Sequence, residues 1–236
     1  MDFAQLQQAP TSVPTEHHSH GNRWDPYVDN GGTSLAIAGD DFVVVASDTR
    51  QSNGYSINSR YSPKAFKLSN DCVLATTGYH ADALKLVEHI EQRAQLYFHK
   101  HDRAMSVSAM AQMLSGILYS KRFFPYYVFP ILSGLDVNGK GAVFTYDPVG
   151  NMERVNYQAY GSASALVQPF LDSQVGFKNQ RNADPNRLLE QPQALKLAID
   201  AFTGATERDI HTGDWLDLFI IDRDGIRQMK RELKHD

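Results

Sequence analysis

Hydrophobic and polar positions along the chain change period several times, and each change marks a change of element. Apolar residues run almost unbroken through 34–38 and 42–47 on either side of Gly39-Asp40-Asp41, which predicts two strands joined by a turn. The Phe42-Val43-Val44-Val45 run suggests a strand covered on both faces. Residues 65–69 and 72–77 predict a second pair around Asn70-Asp71, a dipeptide that tolerates the positive φ of a tight hairpin. From Tyr79 the period lengthens. Ala83, Val87, Ile90, Ala94 and Tyr97 recur at three- and four-residue steps, as do Val107, Met110, Ala111, Leu114, Ile117 and Leu118. Two consecutive amphipathic helices follow, ending near Arg122.

Strand patterns return over 127–135, 141–146 and 154–160, separated by Asp136-Val137-Asn138-Gly139 and Asp147-Pro148-Val149-Gly150, both turn sequences. A helix over 162–174 contains Pro169, which should bend it or mark its first turn. A polar loop over 176–192 leads to a helix carrying Leu195, Ala198, Phe202 and Ala205 on one face, and 216–222 and 226–233 close the chain as a hairpin around Asp224-Gly225. Runs of strands alternate with pairs of helices instead of single ones. The class is therefore α+β, a layered sandwich of two stacked antiparallel sheets flanked by helices.

Composition narrows the picture without redirecting it. The chain has 236 residues, 42% of them hydrophobic, enough for one large domain with a packed core. Its 23 Lys and Arg against 27 Asp and Glu give a net charge of −4, which argues against nucleic acid or an anionic membrane surface as the main partner. No stretch resembles a bilayer-spanning helix. The Met1-Asp2-Phe3 start lacks a basic region and an apolar core, so no secretory signal is expected. Cys72 is the single cysteine, so no internal disulfide framework exists and a reducing, intracellular setting is favoured. At a strand start, Cys72 reads as a small core residue and not as a reactive thiol. Residues 1–23, rich in Gln, Pro, Ser and His, read as a flexible extension, and one domain is expected over 24–236.

Several motifs offer chemistry. Residues 134–140 fit the spacing of a phosphate-binding loop, but Gly141 stands where a Ser or Thr is needed and a strand follows instead of a helix. A hairpin turn with Asn138-Gly139 at its tip explains the same residues better. Glu16-His17-His18-Ser19-His20 carries ligand-type side chains without a partner at folded spacing, so a solvated tail is preferred. No metal or cofactor is called for.

One constellation is more specific. Gly31-Gly32-Thr33-Ser34-Leu35-Ala36-Ile37-Ala38-Gly39, Val44-Val45-Ala46-Ser47-Asp48-Thr49-Arg50 and Lys64 resemble the N-terminal region of proteasome beta subunits. Tyr160-Gly161-Ser162-Ala163-Ser164-Ala165 resembles that family's glycine-serine segment, and 205–214, with Asp209 and Thr212, its late helix end and loop. Within the family the segments at 122–128, 139–143, 147–150 and 175–179 look most like a non-catalytic eukaryotic member.

The resemblance implies the four-layer αββα Ntn-hydrolase sandwich. It also implies assembly with sister beta subunits and alpha subunits, with assembly chaperones possible, into a core that degrades ubiquitin-marked proteins in cytoplasm and nucleus. Residues 1–23 would be a propeptide. The Asp136 turn would approach a neighbour's substrate pocket.

Catalytic members of this family expose an N-terminal threonine whose own amine handles the proton, which an amide nitrogen within a chain cannot do. Gly32-Thr33 offers such a junction superficially. In the family the supporting aspartate follows the nucleophile by sixteen residues and the supporting lysine by thirty-two. Counting back from Asp48 and from Lys64, both reach Gly32. Thr33 is therefore one residue late, and on a strand that slip turns its side chain to the opposite face. The resemblance thus implies an inactive member whose nucleophile position is Gly32, with Asp48, Lys64, Ser162, Asp209 and Thr212 as vestigial support. The rival expectation is an active threonine peptidase processed at Gly32-Thr33.

Overall fold

Alternation along the central strands sorts side chains into separate apolar layers, and the helices cover the outer two. The structure is a computed structural model that describes residues 25–68, 71–182, 184 and 187–236. The expected extension over 1–23 with its histidines, the domain start at Trp24 and Asn70 of the second turn lie outside the described residues.

In chain order the elements are β1 (Thr33–Ala38), β2 (Val43–Asp48), β3 (Gln51–Asn53), β4 (Ser56–Ser59), β5 (Ala65–Lys67) and β6 (Val73–Gly78). Then come α1 (His80–His101), α2 (Val107–Ser120), β7 (Val128–Leu135), β8 (Gly141–Tyr146), β9 (Met152–Val155) and β10 (Tyr157–Gly161). The last are α3 (Ser164–Gln174), α4 (Gln191–Thr206), β11 (Trp215–Asp222) and β12 (Gly225–Glu232). One sheet has the order β10-β1-β2-β11-β12 and the other β5-β6-β7-β8-β9, all neighbours antiparallel, while β3 and β4 form a small separate hairpin.

Residues Leu35, Ile37, Val44, Ala46, Leu216 and Leu218 project from the first sheet onto Val167, Leu171, Ala198 and Phe202 of α3 and α4. Their strand neighbours Ala36, Val43, Val45 and Phe219 point the other way and meet Val73, Ala75, Ile131 and Val143 of the second sheet. Beyond it, Leu74, Leu132 and Phe144 lie under Leu86, Ile90, Met110 and Leu114 of α1 and α2. Period two in the strands and 3.6 in the helices thus produce four layers, helix-sheet-sheet-helix.

All six positions expected to be apolar on the second helix are buried, and α2 begins where Ser106 accepts the Ala109 amide at its N-cap. The predicted strand over 154–160 is two strands. The chain bends at Asn156, leaving β9 on the edge of one sheet and β10 on the edge of the other, with the Asn156 carbonyl accepting from Ala38 N at 2.7 Å. Period two is the same on both sides of such a bend, so the pattern hides it. The loop expected over 176–192 ends sooner, because Gln191 and Pro192 open α4, where a missing N–H costs no helical bond. Pro169 lies well inside α3 and not in its first turn. The 136–140 segment is a hairpin turn with Gly139 at φ +75°.

Cys72 is buried against Gly134 and Val107, and burial pushes its thiol up to about 12. At pH 8 only about one thiol in ten thousand is then ionised. Iodoacetamide should therefore label the native chain at least about a hundredfold more slowly than the urea-unfolded chain. Equal rates would mean that Cys72 is accessible and this layer is open.

Candidate functional site

Two glycines with positive φ, Gly31 at +66° and Gly32 at +80°, lead into β1. Besides the backbone, space demands glycine at 32: a Cβ there would overlap Lys64 Cε and stand 2.6 Å from its Nζ and 2.9 Å from Asp48 Oδ1. Lys64, buried just before β5, donates to Arg50 O at 2.6 Å, Asp48 O at 3.1 Å and Asp48 Oδ1 at 3.2 Å. Asp48, at the end of β2, also accepts from Thr33 N at 2.8 Å, Gly213 N at 3.2 Å and Arg50 N at 3.3 Å. Burial drives the Lys64 ammonium below its ordinary range and the Asp48 carboxyl above its own, and in each case the partner's charge is the main opposing influence.

Thr33 faces elsewhere. Its Oγ1 lies 2.7 Å from Thr212 Oγ1 and accepts from Ala163 N at 3.1 Å. Asp209 Oδ2 accepts from Ser162 Oγ at 2.5 Å and Thr212 Oγ1 at 2.6 Å, while Ser162 N donates to Gly32 O at 3.0 Å. The fold thus gathers Gly32, Asp48, Lys64, Ser162, Asp209 and Thr212 around the start of β1.

Asp136 is not among them. It sits in the β7–β8 turn, where Oδ2 takes Arg154 at 2.9 Å and Oδ1 accepts from Asn138 N and Lys140 N. The Arg154 hydrogen bond, with those amides, holds its carboxyl below the usual range.

Residues before the glycines are tied down as well. Asn30 is buried; its N–H donates to Gly78 O at 3.1 Å, and its carbonyl accepts from Ser52 N at 3.0 Å. Its side chain donates to Ser52 O and accepts from His80 N. The chain therefore runs like an extra strand between β3 and the end of β6. Beside the Lys64 ammonium it presents a glycine Cα, which carries nothing able to attack a carbonyl.

Sequence reasoning missed the next shell. Arg50 is 1% exposed, and its Nε meets Asp214 Oδ2 at 2.8 Å, with Arg60 at 2.6 Å and His235 at 3.2 Å on Asp214 Oδ1. Arg50 and Asp214 stand in the quoted segments, but nothing in one sequence signals that an arginine is buried. The cluster clips the C-terminal tail, since Asp214 N donates to Lys234 O and Leu233 N to Asp214 O, both at 2.9 Å.

A family model described as proteasome subunit matches residues 28–221. The chain belongs to the proteasome subunit family. Proteasome subunit beta type-1-B of Carassius auratus is 50% identical over 225 residues, 95% of this chain and 92% of that protein. Proteasome subunit beta type-6 of Saccharomyces cerevisiae is 44% identical over 234 residues, 96% and 95% of the two chains. Proteasome subunit beta type-1 of Dictyostelium discoideum is 44% identical and covers both chains fully. The two sheets between paired helices of this proteasome-family chain are accordingly an Ntn-hydrolase α+β sandwich.

Burial alone would raise the Asp214 carboxyl, but hydrogen bonds from Arg50 and Arg60 outweigh it and hold the group below its ordinary range. Its stabilising contribution is complete above the unfolded pKa of about 3.9 and is lost as pH falls through the lower folded value. The melting temperature should therefore fall on acidification below about pH 4, and Asp214→Asn should lower it at pH 7 while flattening that fall. An unchanged acid limb in the variant would show that Asp214 does not set it.

Proposed function

We propose that this chain is a non-catalytic, structural subunit of the 20S proteasome core, forming part of the inner beta ring and the chamber wall. The carrying observation is the register at the start of β1. The position whose Cβ points at Lys64 is Gly32, whereas the Thr33 hydroxyl is turned to Thr212 and Ala163 on the opposite face. The Thr33 nitrogen is an amide that donates to Asp48 and so has no lone pair to act as a base. In this reading Asp48, Lys64, Ser162, Asp209 and Thr212 persist as structural support, and residues 1–23 are a propeptide removed by another subunit. Its partners in this reading are sister beta subunits and alpha subunits, and its setting is cytoplasm and nucleus; the relatives' names as proteasome beta subunits support the assembly into a proteasome.

Two measurements test this. In a cell extract the chain should migrate in a particle many times its 26.5 kDa, and N-terminal sequencing of that form should begin near Arg23 or Trp24. A free monomer would remove the ring assignment, and a mature chain starting at Thr33 would restore the threonine peptidase reading.

We further propose that the Asp136 turn reaches a neighbour's substrate pocket. Its carboxylate is occupied within the chain by Arg154, so it would shape the turn that carries the exposed Val137 and would not itself contact a substrate. Asp136→Ala and Arg154→Ala should then shift the same one of the core's peptidase activities, by roughly two- to tenfold, corresponding to about 0.4–1.4 kcal/mol. If every peptidase activity of the purified core is unchanged in both variants, the turn has no such role.

A further inference from the structure

Where α2 ends and the chain turns into β7, large aromatic side chains stand in water. Phe123 is 94% exposed, Tyr119 60% and Phe124 58%. Isolated exposed apolar residues are ordinary, but three aromatics on one short stretch form a patch that monomeric surfaces rarely leave uncovered. Two cations are laid against these rings. The Arg122 guanidinium lies 5.4 Å from the Phe123 centroid and 5.9 Å from that of Tyr119, and Lys121 Nζ lies 4.7 Å from the Tyr126 centroid. Among the described residues neither cation has a carboxylate within ion-pair distance. The rings hold the charges in place without neutralising them.

The shelf has a firm floor. Tyr27 packs on Phe124 and Tyr127 at 5.7 and 5.6 Å between centroids, and its hydroxyl donates to Pro125 O at 2.6 Å. Tyr79 N donates to Tyr127 O at 2.8 Å, which ties the shelf to the end of β6 where Asn30 is bound. It therefore lies at the same end of the sandwich as the Gly32 site.

We infer that the shelf of Tyr119, Arg122, Phe123 and Phe124 seats an apolar element of the adjoining beta subunit flanked by Asp or Glu side chains. Two uncompensated cations select a partner surface of opposite sign, and a pre-ordered arginine set among aromatic rings is the composition that dominates interface energetics. The inference rests on the reading of this chain as a ring subunit and adds which face meets a neighbour and by what chemistry.

A photoreactive phenylalanine analogue at position 123 of the full chain, expressed in cells, tests the contact directly. The expected product, in the assembled particle, joins position 123 to a neighbouring beta subunit at a peptide that contains Asp or Glu, and a crosslink to an alpha subunit would overturn the inference. No crosslink in the particle, a crosslink to a peptide without acidic residues, or one to residues 1–24 of the same chain would overturn the inference. Arg122→Glu supplies an independent arm: its share in the particle should fall at least tenfold below wild type, with its melting temperature unchanged. Incorporation at the wild-type level would equally overturn the inference. Were the unsubstituted chain itself to enter no particle, the ring-subunit reading would fall, which is a distinguishable result.

Discussion

A buried ammonium is stable only where acceptors replace the water that it has lost, and this requirement at Lys64 organises the centre of the molecule. Its three acceptors come from Asp48 and Arg50, where β2 ends and the chain turns toward β3. Asp48 in turn accepts from Thr33 at the start of β1 and from Gly213 ahead of β11. One pair of charges therefore fixes how the first sheet's three central strands begin and end relative to the loop that carries Lys64. Removing either partner would leave the other charged and unpaired in the interior, a cost of about 3–5 kcal/mol.

Much of this was legible because it depends on counting and on period. The family's spacings, counted back from Asp48 and from Lys64, agree on Gly32 without a gap, and two-residue alternation assigns opposite faces to Gly32 and Thr33. The helices were legible for the same reason, since Val107 through Leu118 has a single apolar stripe and one layer to bury it in. The bend at Asn156 was hidden, because a strand that leaves one sheet for the other keeps its alternation. The β3–β4 hairpin was missed because its residues are largely polar and its four-residue second strand is mostly exposed, so burial leaves no pattern.

The site's outer shell was illegible for a different reason. Arginine is seldom buried, so Arg50 gave no sign that it joins Asp214 under the C-terminal tail. Conversely, Phe123 and Phe124 have a composition suited to a core and stand in solvent. In both cases a residue's usual environment is overridden by what neighbouring chain supplies, a carboxylate for Arg50 and open space for the phenylalanines.

The supporting residues around Gly32 do not need catalysis to explain their arrangement. Lys64 satisfies two backbone carbonyls, Asp48 accepts three backbone amides, and Asp209 accepts the His211 amide together with two hydroxyls. Lys64 and Asp48 therefore pair polar groups that folding buries, and replacing either would leave those groups unsatisfied at about 1–3 kcal/mol each, whereas Asp209 is half-buried and orders the exposed Ser162 beside the buried Thr212. A nucleophile makes no such contribution. A residue at position 32 with a side chain would have to displace Lys64 from its acceptors while holding a left-handed backbone. Packing thus favours glycine at position 32, with the Lys64 and Asp48 contacts closed around it.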